Sequence, residues 1–449
     1  MRLSTRKILD KAFSGAGVFS LLLMCGALGM ILVPVILGGL EAFIFKGTIE
    51  RRQYFLNERN RGDAEKIGKE LAEAEEARQP VYEMIEAYEQ ELNREMKWGE
   101  ERQRLKKLKK KIRKLLGPLP GEKDPVTPRQ RYGDTRWDRA QVHLDELLYK
   151  TEYKFSGSKK MGKPVKVPRK KEFKGTPVEP LFGYMKKNLD AMLQPQWTFY
   201  WRFLTDNPEN QSQYLFGGIW PSLLGTLYFG IGTILIAGPI GVISAIYLTE
   251  YAGQGRFISF LRMCISTLAG VPSIVFGLFG LIFFINSLHV SGDNASVFVG
   301  CLTLSLVVLP TVIRASEEAI RAVPHSYKAA ALSLGASRWK TIVRVTLPAA
   351  LPGIITSTII SMGRAAGETA PIMFTAAVAM GAPVGMTDIF SQPTPALSYN
   401  IYAMINSTTY LEEVRHVQYG MALTLIALVL LLNLTGIILR ARLSSKLRN

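Results

Sequence analysis

Apolar residues are gathered along this chain into blocks of membrane length. They fall at residues 17–40, 221–248, 263–288, 297–313, 350–379 and 420–439. A run of about 20 residues crosses the hydrocarbon core as a helix, so the pattern predicts an all-α membrane protein with about six transmembrane helices. A long polar stretch, 46–213, separates the first block from the second. Its first part, 64–116, is rich in Glu, Lys, Arg, Leu and Ala, which favour helix, and Pro80 is expected to divide it into two helices. Val81, Ile85, Tyr88 and Leu92 keep heptad-like spacing, and the pattern resumes one residue out of phase at Leu105, Leu108, Ile112 and Leu115. That break disfavours a long ideal coiled coil and predicts a bent helical hairpin or a short self-packed coil. Beyond Leu116 the frequent Pro, Gly and Lys predict an irregular surface segment or linker without a core of its own. The run WTFYWRFL at 197–204 follows, and its crowded aromatics predict a helix lying in the headgroup layer. The organisation expected is therefore 1–45 for the N-terminus and first span, 46–213 for a large helical and partly irregular insert, and 214–449 for the membrane core.

Charge changes this picture in one respect, by fixing a topology. The chain has 449 residues, 48% hydrophobic, with a formal net charge of +18. About two thirds of its Lys and Arg lie in 46–202. The short loops give the clearer signal: Arg256 and Arg262, then Arg314, Arg321, Lys328, Arg338, Lys340 and Arg344, then Arg440, Arg442, Lys446 and Arg448 all fall on the side of the basic N-terminus. Positive residues mark the cytoplasmic side, and long loops cross largely regardless of charge, so the N-terminus is expected inside and the 46–213 insert outside. The loops assigned outside carry His289 and Asp293, or Asp388, Glu412, Glu413 and Arg415, without a basic excess. The first block, with no small-residue cleavage site, predicts an uncleaved span. Cys25, Cys264 and Cys301 lie inside apolar blocks and are expected to act as small buried hydrophobes. The basic run 106–114 is expected to be a solvated helix face.

The candidate chemistry sits between residues 309 and 381. Arg314, Glu317, Arg364 and Glu368 lie in or beside membrane-length apolar sequence, where ionisable groups are costly and mark substrate or ion paths. The simpler alternative is that each pair, spaced i, i+3 and i, i+4, neutralises itself. A guanidinium fork suits oxyanions, and a carboxylate accepts the proton of hydrogen phosphate, which sulfate lacks near neutral pH. Pro371 frees the Gly367 carbonyl, and 348–379 as one straight helix would measure on the order of 46 Å, so a break or strong tilt is expected near Glu368. Between the charged pairs, Ala329, Ala330, Ala331, Gly335 and Ala336 form a small-residue loop with Leu332, Leu334, Trp339 and Ile342 as apolar contacts. Such a loop allows two short helices to meet at a turn and enter a groove on another protein; an ordinary amphipathic loop helix is the alternative. Pro348 and Pro352 are expected at the start of the next span.

This loop resembles the cytoplasmic EAA loop of ABC-importer permeases, whose consensus runs EAA, three residues, Gly, nine residues, Ile-x-Leu-Pro. Gly335, Leu347 and Pro348 match at that spacing, Val345 stands for Ile, and Ala329 replaces the usual Glu. The phrases FGGIWPSLLGTL, LPTVIRASEEA, VPHSYKAAALSLGASRWKT and GRAAGETAPIMFTA are similar to the PstA permeases of phosphate importers. The insert lies outside that family's ordinary pattern. The resemblance implies a type I ABC importer in the bacterial inner membrane, in which a PstA-type and a PstC-type permease subunit form the pore. It further implies a PstB-type ATPase dimer that binds ATP and Mg, a PstS-type protein that delivers phosphate from outside, contact with membrane lipid and none with nucleic acid. Arg314, Glu317, Arg364 and Glu368 match the family's charged transport residues, and Ala329, Ala330, Ala331, Gly335, Leu347 and Pro348 match its ATPase-coupling loop. With no GxxxxGK[ST] in the sequence, the chain is expected to be a transporter subunit without an ATPase site, cofactor or metal of its own. Competing readings are a permease for another oxyanion, or a secondary transporter or channel carrying a coiled-coil scaffold insert.

Overall fold

A computed structural model describes residues 3–96, 99–154, 163–208, 217–253, 255–379, 381–406 and 414–448. Gln213, Phe216, Glu412 and Glu413 lie outside the described residues. The chain forms two compact units, Met1–Ala42 with Trp201–Asn449, and Phe43–Tyr200.

The chain opens with α1 (Leu3–Leu40), a long apolar helix of the first unit. The second unit is then built in a single excursion. Strand β1 (Ile44–Gly47) leads to α2 (Ile49–Arg59), α3 (Ala64–Arg94) and α4 (Glu100–Leu116). The short α5 (Pro128–Arg131), α6 (Trp137–Leu148), the antiparallel hairpin β2 (Tyr149–Lys154) with β3 (Lys163–Pro168), and α7 (Glu179–Leu193) follow. Strand β4 (Gln196–Phe199) returns to pair antiparallel with β1, Lys46 opposite Trp197, so both ends of the insert meet in one sheet.

Several elements here differ from the sequence expectation. Pro80 lies inside a continuous α3 instead of dividing it. Tertiary packing outweighs the lost hydrogen bond: Arg78 and Val81 on either side are buried, and Tyr184 Oη donates to the Ala77 carbonyl at 3.0 Å. The segment after Leu116 is no coreless linker. Leu119, Leu147, Phe173, Val178 and Leu181 join Val81, Ile85, Leu108 and Ile112 in one buried cluster, where widely spaced apolar residues on separate elements converge. The aromatic run is a strand followed by a turn at Trp201–Leu204, not a surface helix. Trp, Thr, Phe and Tyr favour extended backbone, and Trp197 and Phe199 stand exposed on one face at period two.

The first unit resumes with α8 (Trp220–Ile246), continued by a π-helical turn at Tyr247–Tyr251, and then α9 (Arg256–Leu268) and α10 (Ser273–Gly280). Helix α11 (Val297–Arg321) is followed by α12 (His325–Ser333), α13 (Arg338–Thr341), α14 (Leu347–Gly367) and α15 (Ala370–Met373). A two-residue parallel pairing of β5 (Ala377–Val378) with β6 (Thr394–Pro395), then α16 (Leu397–Asn406) and α17 (Arg415–Arg448), complete it. Helix α11 packs on α8 and α14, α14 also packs on α17, and α17 on α1.

Five described helices are long and apolar enough to cross a membrane. A sixth crossing arises if the helices Arg256–Leu268 and Ser273–Ser287, bent 97° at their junction, count as one span. The third apolar block is thus a broken element, with Gly270 and Pro272 in the break. The fourth block extends past residue 313, so Arg314 and Arg321 belong to α11 and not to a loop. Pro348 stands in the first turn of α14, as expected, and Pro352 lies inside it; the helical stretch reaches back to Arg338 through a π-helical turn at Ile342–Thr346. A π turn accommodates a residue without an amide hydrogen. Cys301 is buried, but Cys25 and Cys264 are exposed, on membrane helices whose apolar surface is turned away from this chain's own core.

Candidate functional site

Residues from α9 and α11 line a pocket of about 330 Å³. Its wall consists of Arg262, Ile265, Ser266, Ile313, Arg314, Glu317, Glu318 and Arg321. Residues 314, 317, 318 and 321 follow the i, i+3, i+4, i+7 spacing of one helical face, which is why a single helix can supply four charges to one surface.

Within this pocket the charges are shared unevenly. Glu317 is 3.0 Å from Arg262 and 2.6 Å from Arg321, and its side chain is 13% exposed. Arg314 donates to the Ser266 hydroxyl and, among the described residues, has no carboxylate within ion-pair distance. The i, i+3 self-neutralisation of Arg314 with Glu317 is therefore not what the structure contains. Glu317 is satisfied by two other arginines, leaving the Arg314 guanidinium in the pocket wall with no carboxylate partner among the described residues.

Arg364 and Glu368 do not line this pocket. Arg364 Nε lies 3.4 Å from Glu368 Oε1, with the arginine side chain 48% exposed and the glutamate 21%. Helix α14 ends at Gly367, and Glu368 has extended backbone, φ −73° and ψ 131°. The pair thus spans a helix end and does not lie on one helical face. Pro371 begins the next turn without an amide hydrogen, as expected, and the Ser398 hydroxyl donates to the Glu368 carbonyl at 3.2 Å, holding the unwound residue.

The loop between α11 and α14 is almost wholly solvent-facing. No residue of α12 is buried, and Ala329 and Ala330 are exposed. Leu332, Leu334 and Trp339 are 52%, 89% and 62% exposed, whereas Ile342, the fourth apolar residue anticipated from sequence, is buried within this chain. Gly335 has φ +77°, a left-handed conformation that lets α12 turn sharply toward α13, and the space where its side chain would stand is open. Leu347 instead packs inward against Ala245, Ile320, Val323, Ala350 and Ile354. Pro348, beside it, belongs to the same helical stretch.

Sequence reasoning missed Arg262, which it counted only as a loop charge. Its position six residues past the start of α9 gave no signal that it would face α11; only the packing of α9 against α11 brings it to Glu317.

Residues 237–449 match the family described as binding-protein-dependent transport system inner membrane component. The chain is 39% identical over 221 residues to the phosphate transport system permease protein PstA of Mycobacterium leprae, an alignment covering 49% of this chain and 69% of that protein. The chain belongs to the PstA type of ABC-importer permeases. It is also 37% identical over 225 residues to PstA 1 of Mycobacterium tuberculosis strain H37Rv, covering 50% of this chain and 70% of that one. Similarity to the probable ABC transporter permease protein YqgI of Bacillus subtilis reaches 42% over 160 residues. That alignment covers 36% of this chain and spans 53% of YqgI. Among solved structures, a chain of the inward-facing MetNI methionine ABC transporter is 20% identical, with a TM-score of 0.38, covering 50% of this chain and 94% of that one. This PstA-type chain is accordingly a multi-pass inner-membrane transporter subunit, mostly helical.

Proposed function

We propose that the chain is the membrane-spanning permease subunit of an ATP-driven importer of inorganic phosphate. The observation that carries this reading is the pocket in which Arg262 and Arg321 occupy Glu317, while Arg314 donates to the Ser266 hydroxyl and pairs with no carboxylate among the described residues. A dianion entering there meets a planar donor fork already held in place, the geometry that phosphate oxygens select. Arg364 and Glu368, at the unwound end of α14, form a second charged station on the path, where the carboxylate accepts the proton of hydrogen phosphate.

In this reading the exposed α12–α13 loop, with Ala329, Ala330, Ala331 and Gly335, docks into an ATPase subunit, and Leu347 and Pro348 pass its movement to α14. ATP and Mg are bound by that PstB-type dimer. A PstC-type subunit completes the pore, and a PstS-type protein delivers phosphate on the face opposite the docking loop. The N-terminus lies in the cytoplasm and the Phe43–Tyr200 unit outside. The relatives named phosphate permeases support the substrate, and the exposed Leu334 and Trp339 support a partner for the loop.

The test is reconstitution of the chain with these three partners in proteoliposomes. ATP-dependent phosphate accumulation is expected, with sulfate a poor competitor. Arg314→Gln, which keeps donors but loses the charge and fork, should lower uptake by about tenfold or more at unchanged complex level. Accumulation without the ATPase subunit, or full uptake by Arg314→Gln, would sink the reading.

A further inference from the structure

The cytoplasm-facing end of α8 holds an arrangement that neither the charged pairs nor the docking loop accounts for. Over Tyr247–Tyr251 the helix widens to π-helical pitch, a device that concentrates at functional sites, and then stops. Three cations from three other helices converge on this one turn. Lys328 of α12 donates to the Glu250 carboxylate. The Arg338 guanidinium of α13 stands 5.4 Å above the Tyr251 ring. Arg262 of α9 donates through Nη2 to the Leu248 carbonyl at 2.8 Å, taking one of the acceptors that a helix end leaves without an intrahelical donor.

Two features separate this cluster from an ordinary surface network. The Lys328 and Glu250 side chains are only 19% and 12% exposed, although α12 otherwise faces solvent. Water screens such a pair less than a surface pair, so it ties α12 to α8 firmly. Second, the Arg262 Nη2 that holds the Leu248 carbonyl is the same nitrogen that lies 3.0 Å from Glu317 in the pocket wall. A continuous set of contacts therefore runs from the docking loop, through Glu250 and the π turn, to Arg262, and from there to the carboxylate beside Arg314.

We infer that Glu250 is a positioning residue in a relay that carries the state of the docking loop to the arginine pocket. Displacement of α12 by an ATPase pulls Lys328, and Glu250 with the π turn follows. The Leu248 carbonyl then leaves or approaches Arg262. Arg262 shares its donors between that carbonyl and Glu317, so any change on one side alters the charge balance presented to Arg314. A π turn suits this role because shifting between π and α register moves the helix end without breaking the helix. This inference rests on the docking role given above to the α12–α13 loop.

The experiment uses the assembled complex, in a background with Cys25→Ser and Cys264→Ser to remove the exposed thiols, and places a reporter in the pocket wall as Ile265→Cys. The rate of maleimide labelling is measured without nucleotide and with ATP trapped by vanadate, alongside ATP hydrolysed per phosphate imported. Glu250→Gln and Lys328→Gln should each change the nucleotide dependence of labelling by about fivefold and raise ATP consumption per phosphate, and the charge exchange Glu250→Lys with Lys328→Glu should restore both to within about twofold. Unchanged nucleotide dependence in both single variants overturns the relay, as does a charge exchange that fails to restore it. Reduced recovery of complex with normal nucleotide dependence in what remains shows a structural staple only, and also overturns it. A reference complex whose labelling responds to nucleotide but which imports no phosphate would remove the substrate reading while leaving the relay standing. Absence of any nucleotide response in the reference would overturn the docking role and the relay together.

Discussion

Arg78 in the Phe43–Tyr200 unit and Arg314 in the membrane unit are two arginines in opposite situations. Arg78 is 5% exposed, and each of its three guanidinium nitrogens is engaged: Nη2 to Glu50 at 2.6 Å, Nε and Nη2 to the Met192 carbonyl at 3.0 and 2.7 Å, and Nη1 to the Leu116 carbonyl at 3.5 Å. It stitches α2, α3, α7 and the end of α4, and nothing is left over for a ligand. Arg314 donates to one hydroxyl and faces an open pocket. Depth in apolar sequence alone would have marked only Arg314 as functional, but the sharper criterion is donor accounting. An arginine whose donors all close on its own chain is structural, and one left open in a pocket is available to an anion.

The largest effect that would test this contrast is on stability. Arg78→Met leaves the Glu50 carboxylate buried without its partner and should destabilise the Phe43–Tyr200 unit by about 3–5 kcal/mol, whereas Arg78→Met combined with Glu50→Leu should recover most of the loss. Hydrogen exchange of α3 and α7 in the full-length protein reads this directly. Arg314→Gln should leave exchange in α11 unchanged, and a comparable loss there would erase the distinction between the two arginines.

Arg364 stands between the extremes, half exposed and 3.4 Å from one carboxylate. If it serves the anion path, Arg364→Gln should lower phosphate uptake by about tenfold, and Arg364→Gln with Glu368→Gln should stay low. If it only balances Glu368, the double variant should regain uptake, because removing both charges leaves neither uncompensated. Uptake normalised to assembled complex decides which side of the comparison Arg364 joins.

The smallest effect concerns pH. Burial pushes the Asp134 carboxyl up to about 7, against the Arg136 amide that donates to it at 3.2 Å, with His143 Nε2 3.4 Å away. A carboxyl raised on folding contributes stability that is full below its unfolded value, about 3.9, and is lost as pH rises through about 7. Opening of the loop before α6, followed by hydrogen exchange, should therefore become easier between pH 5 and pH 8, and Asp134→Asn should flatten that dependence. An unchanged slope in the variant would show that Asp134 does not titrate in this window.

Much of the membrane unit was legible in the sequence because bilayer crossing imposes length and apolarity on contiguous residues, and contiguity is what a sequence displays. The positions of α1, α8, α11, α14 and α17, the break beside Glu368 and the Gly335 turn all follow from local rules: apolar run length, a missing proline amide, a glycine at positive φ. The insert was legible only where its periodicity was local, along α3 and α4. Its core also needs Phe173, Val178, Leu181 and Met185, from beyond a Pro- and Lys-rich stretch, and no window of sequence ties them to Val81 or Ile112. For the same reason the tertiary structure alone decided that Pro80 stays within a helix, that Gln196–Phe199 becomes a strand paired with β1, and that Glu317 pairs with Arg262 and Arg321 and not with Arg314. Charge partners are chosen by which helices pack together, and that is settled by long-range burial instead of by spacing along the chain.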